Sequence, residues 1–500
     1  MKKNIEMTPH PIEEYLEKPS SEFTRSDLIK YFKDNQIEMV NLRYTGGDGR
    51  LKTLNFAIQS RAHLEEVLTS GERVDGSSLF NHIEAGSSDL YVVPRYKTAF
   101  INPFAEIPSM DILCSFFDKD GHPLSNAPEN ILRKANETLK QQTGYEFHAM
   151  GELEYYIISE EDTLFPTKDQ AGYHEASPFN KWEHFRNEAL RLISYCGGAV
   201  KYGHSEVGNF TKNGIAYEQN EIEFLPVAVE DAADHLLVAK WILRALAYQY
   251  GVTLTFAPKI TAGKAGSGMH VHTKLVKDGK SVMTENGKLS DTAKKAIAGY
   301  LDLGGSLTAF GNTIPTSYLR LVPHQEAPTN ICWGDRNRSV LVRVPLGWAG
   351  GADMAKIANP LEEETTSDPR EKQTVEFRAP DGSADIYLLL AGLAVAARHG
   401  LQMKNALEYA QKTYVDVNIF EKEHKDKQKT LKGLPASCVE SAERIKQDKE
   451  VYTQYGVFPD SMIDSIANSL KAFKDETLRK EIEYNHDKTM DIVRKYIHCA

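Results

Sequence analysis

The chain is poor in cysteine. Five occur in 500 residues, at Cys114, Cys196, Cys332, Cys438 and Cys499, and no two form a Cys-x-x-Cys pair. That scatter speaks against a zinc ribbon and against a disulfide framework. Basic residues are outnumbered, 59 Lys and Arg against 70 Asp and Glu, for a formal charge of −11. A general nucleic-acid binder needs a basic footprint and is excluded, although a small basic pocket for a phosphorylated ligand is not. Long hydrophobic runs are missing too. The longest, Tyr387 to Ala397, is too short to cross a bilayer and suits a buried helix. The opening MKKNIEMTPHP has no apolar stretch behind its lysines, so no signal peptide is expected. The protein reads as cytoplasmic, with no membrane partner. No internal repeats occur. The composition, 41% hydrophobic and 26% charged, is that of an ordinary globular protein long enough for two or more domains.

Residues 1–22 are polar, with prolines at 9, 11 and 19, and are expected to be a loose extension. A first unit over 23–122 starts with a helix, Arg25 to Asn35, capped by Thr24. Strands follow at Met39–Tyr44 and Leu51–Ile58, joined as a hairpin by Gly46-Gly47-Asp48-Gly49, with more at Leu90–Val93 and Ile112–Phe117. The unit is expected to be mostly antiparallel. The larger unit, 123–500, has helices predicted at Pro128–Thr143, Trp182–Tyr195, Ala228–Tyr250 and Asp291–Phe310. Its strands alternate irregularly with these helices, which favours α+β over a doubly wound fold. Beyond Leu401 the chain reads as helical and charged, with Phe420–Lys427 a solvated face or loop.

Four segments of the larger unit share one pattern, a ligand-type side chain on either side of an apolar residue: Glu152-Leu153-Glu154, Glu221-Ile222-Glu223, His270-Val271-His272 and Glu376-Phe377-Arg378. Each is flanked by β-branched or aromatic residues and reads as a strand, on which i and i+2 share a face. One such pair alone is better read as the wet edge of an amphipathic strand. Four, with Glu206 upstream, put many carboxylates on one sheet face, where they cannot all stay ionised without counter-charge. Oxygen ligands with imidazole point to Mg2+ or Mn2+ rather than zinc.

The glycine-rich stretch Gly263–Gly268 is neither a Walker A loop nor a dinucleotide fingerprint, because GxxxxGK[ST] is absent and it precedes a strand. Alone it is a flexible turn; the His270-Val271-His272 behind it suggests a division of labour between metal and ligand. Arg320, Arg336, Arg338, Arg343 and Arg378 fall within fewer than 60 residues, in apolar and proline-rich surroundings that suit burial beside an anion. Arg338–Pro345 reads as a strand with polar ends. Metals beside arginines is an arrangement suited to a transferring phosphoryl group.

The motifs Asp75-Gly76-Ser77-Ser78, Gly151-Glu152-Leu153-Glu154-Tyr155, Gln219-Asn220-Glu221, Gly266–His272, Arg320-Leu321-Val322-Pro323 with Glu326-Ala327-Pro328, Asn337-Arg338-Ser339 and Glu376–Asp381 follow one another in family order. The chain resembles a bacterial-type glutamine synthetase. The resemblance implies a β-grasp-like N-terminal domain and a catalytic domain whose antiparallel sheet, flanked by helices, forms a tapered active-site cavity. It also implies a homo-oligomeric ring, a dodecamer, with active sites between subunits. The implied reaction joins ammonia to the γ-carboxylate of glutamate at the expense of ATP, through γ-glutamyl phosphate. Two or three Mg2+ or Mn2+ ions serve each site: Glu154, Glu206 and Glu221 resemble the ligands of one, Glu152, His270 and Glu376 those of a second. Arg338 and Arg343 would hold phosphate oxygens, Arg343 also counting among the substrate contacts. Arg320 and Arg378 would hold glutamate carboxylates, Gly266 would meet the amino acid through its backbone, and His272 would lie against ATP. Asp75 resembles the ammonium-binding carboxylate, with Ser78 and Tyr173 counted as substrate contacts, and Glu326 resembles the flap residue that closes the site and takes a proton.

Two departures stand out. The family usually has Asn where this chain has Ala265, and the interval from Glu206 to Glu221 is longer than usual, with Asn209–Ala216 reading as an inserted hairpin. The first bears on substrate identity. An organic amine, such as a polyamine or ethanolamine, is the alternative to ammonia, which Asp75 favours. A non-enzymatic ring protein is disfavoured by the cost of burying so many charges.

Overall fold

The computed structural model describes residues 6–80, 83, 88–261, 263–323, 325, 327–347, 354–363, 369–482 and 486–499. The first unit is built on strands β1 (Met39–Thr45), β2 (Leu51–Ala57), β3 (Glu72–Asp75), β4 (Asp89–Pro94), β5 (Phe100–Ile101) and β6 (Ser109–Phe117), in the order β2-β1-β6-β4-β3 with β5 beside β6. The hairpin forms as expected, but β1 and β6 run parallel. The helix Arg25–Asp34 starts in a capping box between Thr24 and Asp27. Leu28, Leu68, Val40, Leu42, Val92, Ile112 and Phe116 fill the core beneath it.

Residues 8–22 are not loose. Pro11–Leu16 is a helix with His10 as its N-cap: Nδ1 accepts the Glu13 amide and Nε2 donates to the Ala99 carbonyl at 3.1 Å. Ile12 and Glu13 are fully buried, and Glu13 accepts from Thr8 Oγ1 and the Ser20 amide, each at 2.8 Å. Pro11 marks a start rather than a break, since the first helical position needs no N–H.

In the larger unit the ten-stranded sheet comprises β7 (Glu146–Glu160), β8 (Val200–Lys212), β9 (Ile215–Phe224), β10 (Val227–Ala228), β11 (Thr253–Thr255), β12 (Met269–Lys277), β13 (Lys280–Ser281), β16 (Trp333–Asp335), β17 (Val342–Val344) and β18 (Val375–Phe377); β14 (Thr284–Glu285) and β15 (Lys288–Leu289) pair separately. The order β16-β17-β18-β12-β7-β9-β8 is antiparallel except for β16 with β17. This is the α+β architecture expected. The strand predicted over Arg338–Pro345 shrinks to β17, because Asn337 Oδ1 accepts the Ser339 amide and hydroxyl and bends the chain there. The hairpin expected over Asn209–Ala216 forms: β8 and β9 are joined at Asn213-Gly214, with φ of 54° and 75°, the left-handed pair that a tight hairpin turn requires.

The apolar run lies in the helix Ile386–Gln402, buried against Pro128–Thr143 and Asp291–Asp302. The last contact depends on glycine: a Cβ on Gly299 would sit 1.9 Å from the Ala396 carbonyl oxygen, and one on Gly400 would sit 2.1 Å from that of Lys295. The single helix predicted from Asp291 to Phe310 is two, Asp291–Asp302 and Gly304–Gly311, broken where Gly304 and Gly305 weaken helix propensity. Among the described residues no single helix is long and apolar enough to cross a membrane.

Charged pairs clamp the two units together. Arg95 donates from both Nη atoms to Asp234 at 2.8 Å, and Tyr387 donates to the same carboxylate at 2.6 Å. Burial alone would raise the Asp234 carboxyl; the Arg95 guanidinium outweighs it and holds it low. Asp234→Ala leaves a buried guanidinium without its anion and is expected to cost about 3–5 kcal/mol in denaturant unfolding. A loss under about 1 kcal/mol would show that the clamp carries no weight.

Candidate active site

Strand register assembles the site. On β7, β9, β12 and β18 the patterned residues fall opposite one another: His270 faces Glu152, Glu154 faces Glu221, Glu152 faces Glu223, and His272 faces Glu376. β17 adds Arg343 opposite Glu376, and β8 adds His204 opposite Glu221. These side chains line a cavity of about 660 Å³. Glu206 enters it from a bulge in β8, where the ladder skips from Ser205 to Asn209.

Two ligand groups stand out, each with atoms within 4.8 Å of one another: Glu152, His272 and Glu376, and His204, Glu206 and Glu221. Glu152 accepts from His270 Nδ1 and from His272 Nε2, both at 2.8 Å. Glu376 is fully buried, its oxygens taken by Arg378 Nη1 at 2.6 Å and Arg343 Nη1 at 2.7 Å. His204 Nε2 lies 3.1 Å from Glu221. Glu154 accepts from the Gly268 amide and from Gln219 Nε2, each at 2.9 Å.

The electrostatics divide the site. Burial raises the Glu154 carboxyl to about 7, Arg320 partly opposing and Glu206 adding to the rise. Burial, then repulsion from Glu152, Glu154 and Glu206, pushes Glu221 well up. Burial acts the same way on Glu152 and Glu376, but the two histidines pull Glu152 well below its usual range and Arg378 pulls Glu376 down. Burial and Arg378 lower His270, keeping a neutral imidazole available. Hard oxygen donors, a neutral imidazole and carboxylates short of positive charge fit divalent cations of the Mg2+ or Mn2+ kind.

Of the residues singled out in the sequence, Glu152, Glu154, Glu206, Glu221, His270, His272, Glu376, Arg338, Arg343, Arg378, Gly266 and Tyr173 all line the cavity. Arg320 does not; it is buried behind it, donating to the Ala379 carbonyl at 2.8 Å and meeting His270 Nε2 at 3.2 Å. Asp75 and Ser78 are absent from the lining; Ser78 and Ser77 donate to the exposed Asp75 carboxylate at 2.7 Å and hold it well below the usual range. Glu326 lies outside the described residues. Sequence reasoning missed His204, although His204-Ser205-Glu206 has the same two-residue period as the other four segments. It also missed Gln219, which ties Glu154 to the Gly266 carbonyl, and Lys201, which pairs with Glu223 at 2.7 Å.

A curled sheet that gathers carboxylates and imidazoles beside guanidiniums defines a class of protein, a metal-using enzyme for anionic substrates. Comparison with known proteins narrows it. Residues 36–119 match the family model "Glutamine synthetase, beta-Grasp domain" and residues 125–487 match "Glutamine synthetase, catalytic domain". The glutamine synthetase of Mycobacterium bovis is 30% identical over 485 residues, covering 89% of this chain and 94% of the relative. That of Pyrococcus furiosus is 32% identical over 429 residues, covering 85% and 88%. In fold the chain is similar to Plasmodium falciparum glutamine synthetase, with a TM-score of 0.74 at 20% identity, covering 94% of this chain and 98% of that one. It is likewise similar to ligand-free GmaS, with a TM-score of 0.71 at 18% identity, covering 92% and 100%. The chain belongs to the glutamine synthetase family, whose members are ligases that generally use ATP and divalent metals and form homo-oligomers.

Proposed function

We propose that this chain ligates ammonia to the γ-carboxylate of L-glutamate, giving glutamine, ADP and phosphate. The observation that carries this reading is the cavity in which two acid–imidazole groups face Arg338, Arg343 and Arg378. Glu152, His270, His272 and Glu376 would hold one Mg2+ or Mn2+, and Glu154, His204, Glu206 and Glu221 another. Bound there, the cations neutralise the approach of two anions, the nucleotide phosphates and the glutamate carboxylate.

The residues divide the remaining work. Glu376 holds the guanidiniums of Arg343 and Arg378 in fixed directions, leaving their other N–H groups for phosphate and carboxylate oxygens. With Arg338 they favour attack of a γ-carboxylate oxygen on the γ-phosphorus, the bond to ADP breaking as γ-glutamyl phosphate forms. Ammonia nitrogen then attacks the acyl carbon and phosphate leaves with its bonding pair. Asp75, kept anionic by Ser77 and Ser78, is suited to holding ammonium and taking its proton. Because it does not line its own cavity, a neighbouring copy would supply it, within a cytoplasmic ring of the dodecameric kind. Glu326 is assigned the flap role by resemblance.

An organic amine is the second reading. Tyr173 stacks on His174 at 4.1 Å and meets His204 edge-on at 5.5 Å, an aromatic wall against which an alkyl group would pack. Phosphate release from ATP with glutamate, Mg2+ and ammonium is expected to exceed that with methylamine, ethanolamine or putrescine at least about tenfold in kcat/KM. The reverse order would replace ammonia by the amine, and no release with any of them would remove ligase activity altogether.

A further inference from the structure

The stretch Lys264–Gly268 has no regular structure, yet several side chains fix its backbone. Lys259 Nζ donates to the Lys264 carbonyl. Tyr156 OH donates to the Ala265 carbonyl at 2.8 Å, and Gln219 Nε2 to the Gly266 carbonyl at 2.9 Å. The Ala265 amide donates to Gln170 Oε1 at 2.8 Å. Gly266 packs directly against the chain at Pro258 and leaves no room for a side chain, since a Cβ there would sit 2.3 Å from the Pro258 carbonyl oxygen.

Gln170 is itself held by the inserted hairpin. Its amide and its Nε2 donate to the Asn209 carbonyl at 2.9 and 3.0 Å. The Asn209 side chain accepts the Ala171 amide at 2.9 Å and donates to the Lys168 carbonyl at 3.0 Å. Asn209 is also where β8 rejoins the ladder after the bulge that carries Glu206. The same length of chain continues along the bulge, the His174 amide donating to the Ser205 carbonyl at 3.0 Å, and so delivers Tyr173 to the cavity.

We propose that Gln170 is a positioning residue for the amino-acid substrate, acting through the Ala265 amide, and that Asn209 at the root of the inserted hairpin sets Gln170. Ala265 has no polar side chain with which to anchor itself, so the anchor comes from a segment 95 residues earlier. The inference rests on the reading that Gly266 meets the amino acid. It makes the inserted hairpin a device that tunes glutamate affinity rather than an ornament of the surface.

The test uses the full chain with Mg2+. Gln170→Met keeps length and packing but offers no oxygen, whereas Gln170→Glu keeps an acceptor. Hydrogen–deuterium exchange at the Ala265 amide is expected to speed up about tenfold in Gln170→Met and clearly less in Gln170→Glu, which keeps the acceptor for that amide but loses the donor to the Asn209 carbonyl. In Asn209→Ala, which keeps that carbonyl and removes only the bonds to the Ala171 amide and the Lys168 carbonyl, a rise of about threefold is expected. In Gln170→Met the KM for glutamate is expected to rise about tenfold, with kcat and the KM for ATP changing by about twofold or less. Wild-type exchange in Gln170→Met, or an unchanged glutamate KM, overturns the assignment; wild-type exchange in Asn209→Ala overturns the relay from the hairpin. If the unaltered enzyme shows no glutamate-dependent phosphate release, the functional reading falls instead, and the exchange rates still decide whether Gln170 holds the loop.

Discussion

Stripped of divalent metal, the chain is expected to lose thermal stability as pH rises from 5 to 8, and Mg2+ is expected to restore it most at the alkaline end. The cause is the pair of buried carboxyls that retain their protons. Glu154 goes from an ordinary 4.5 to about 7 on folding, and Glu221 moves in the same direction. A carboxyl raised by folding contributes its stability below its unfolded pKa and loses it as pH climbs through the folded one. For Glu154 the difference amounts to about 3 kcal/mol. Glu152 and Glu376 are shifted the other way, so their contribution is lost only as pH falls below the usual carboxylate range. Glu129, raised to about 7, and Asp385, raised to about 6, titrate in the same window but lie away from the metal groups. The diagnostic quantity is therefore the gain in unfolding temperature on adding Mg2+. Metal displaces protons from Glu154 and Glu221 only where they remain bound, so its apparent affinity, and with it the stabilisation, should grow with pH. Glu154→Gln should flatten both curves. A Mg2+ effect of the same size at pH 5 and pH 8 would mean that these carboxyls do not receive the cation.

Much of this site was legible in the sequence because its residues obey the simplest rule in a sheet. Alternate residues share a face, so Glu152 with Glu154 and His270 with His272 could be paired before any strand was placed. Strand order was not legible. β18 lies between β17 and β12 although it follows β12 by about a hundred residues, and only that order brings Glu376 between Arg343 and His272. Irregular backbone hid the rest. The β8 bulge, where the ladder skips from Ser205 to Asn209, could not be placed from the sequence, so nothing there showed that His204 would pair with Glu221 while Glu206 leaves the ladder to enter the cavity. The N-terminal helix was obscured because Pro9, Pro11 and Pro19 resemble breakers and because histidine is an uncommon N-cap. In Arg338–Pro345 the reading of a strand with polar ends was right in kind, yet Asn337 competes for the backbone and only three residues stay in the ladder.

Two inactive variants are expected to rescue one another when co-expressed. Asp75 is exposed and does not line the cavity of its own chain, whereas Arg338 does. If each working site joins one chain's cavity to the next chain's Asp75, then Asp75→Asn damages the donor face and Arg338→Ala damages the receiving face. Both positions are at the surface, so the fold should survive either change. The side-chain amide introduced by Asp75→Asn keeps an oxygen that can accept from Ser77, and Arg338 lies on an exposed turn. Alone, on the roles proposed for them, Asp75→Asn should lower kcat/KM by about 10²- to 10³-fold through loss of the charge proposed to hold ammonium, and Arg338→Ala by about 10³-fold or more through loss of the phosphoryl stabilisation proposed for it. Mixed at random in one ring, about a quarter of the junctions would pair an intact cavity with an intact Asp75. Activity should therefore return to about a quarter of the wild-type level in rings that contain both variants in equal amounts. Were both groups to act within one chain, every junction would lack one of them and mixing would recover nothing. The two arrangements thus differ by orders of magnitude in a single measurement, and the answer decides whether the cavity is a complete active site or half of one.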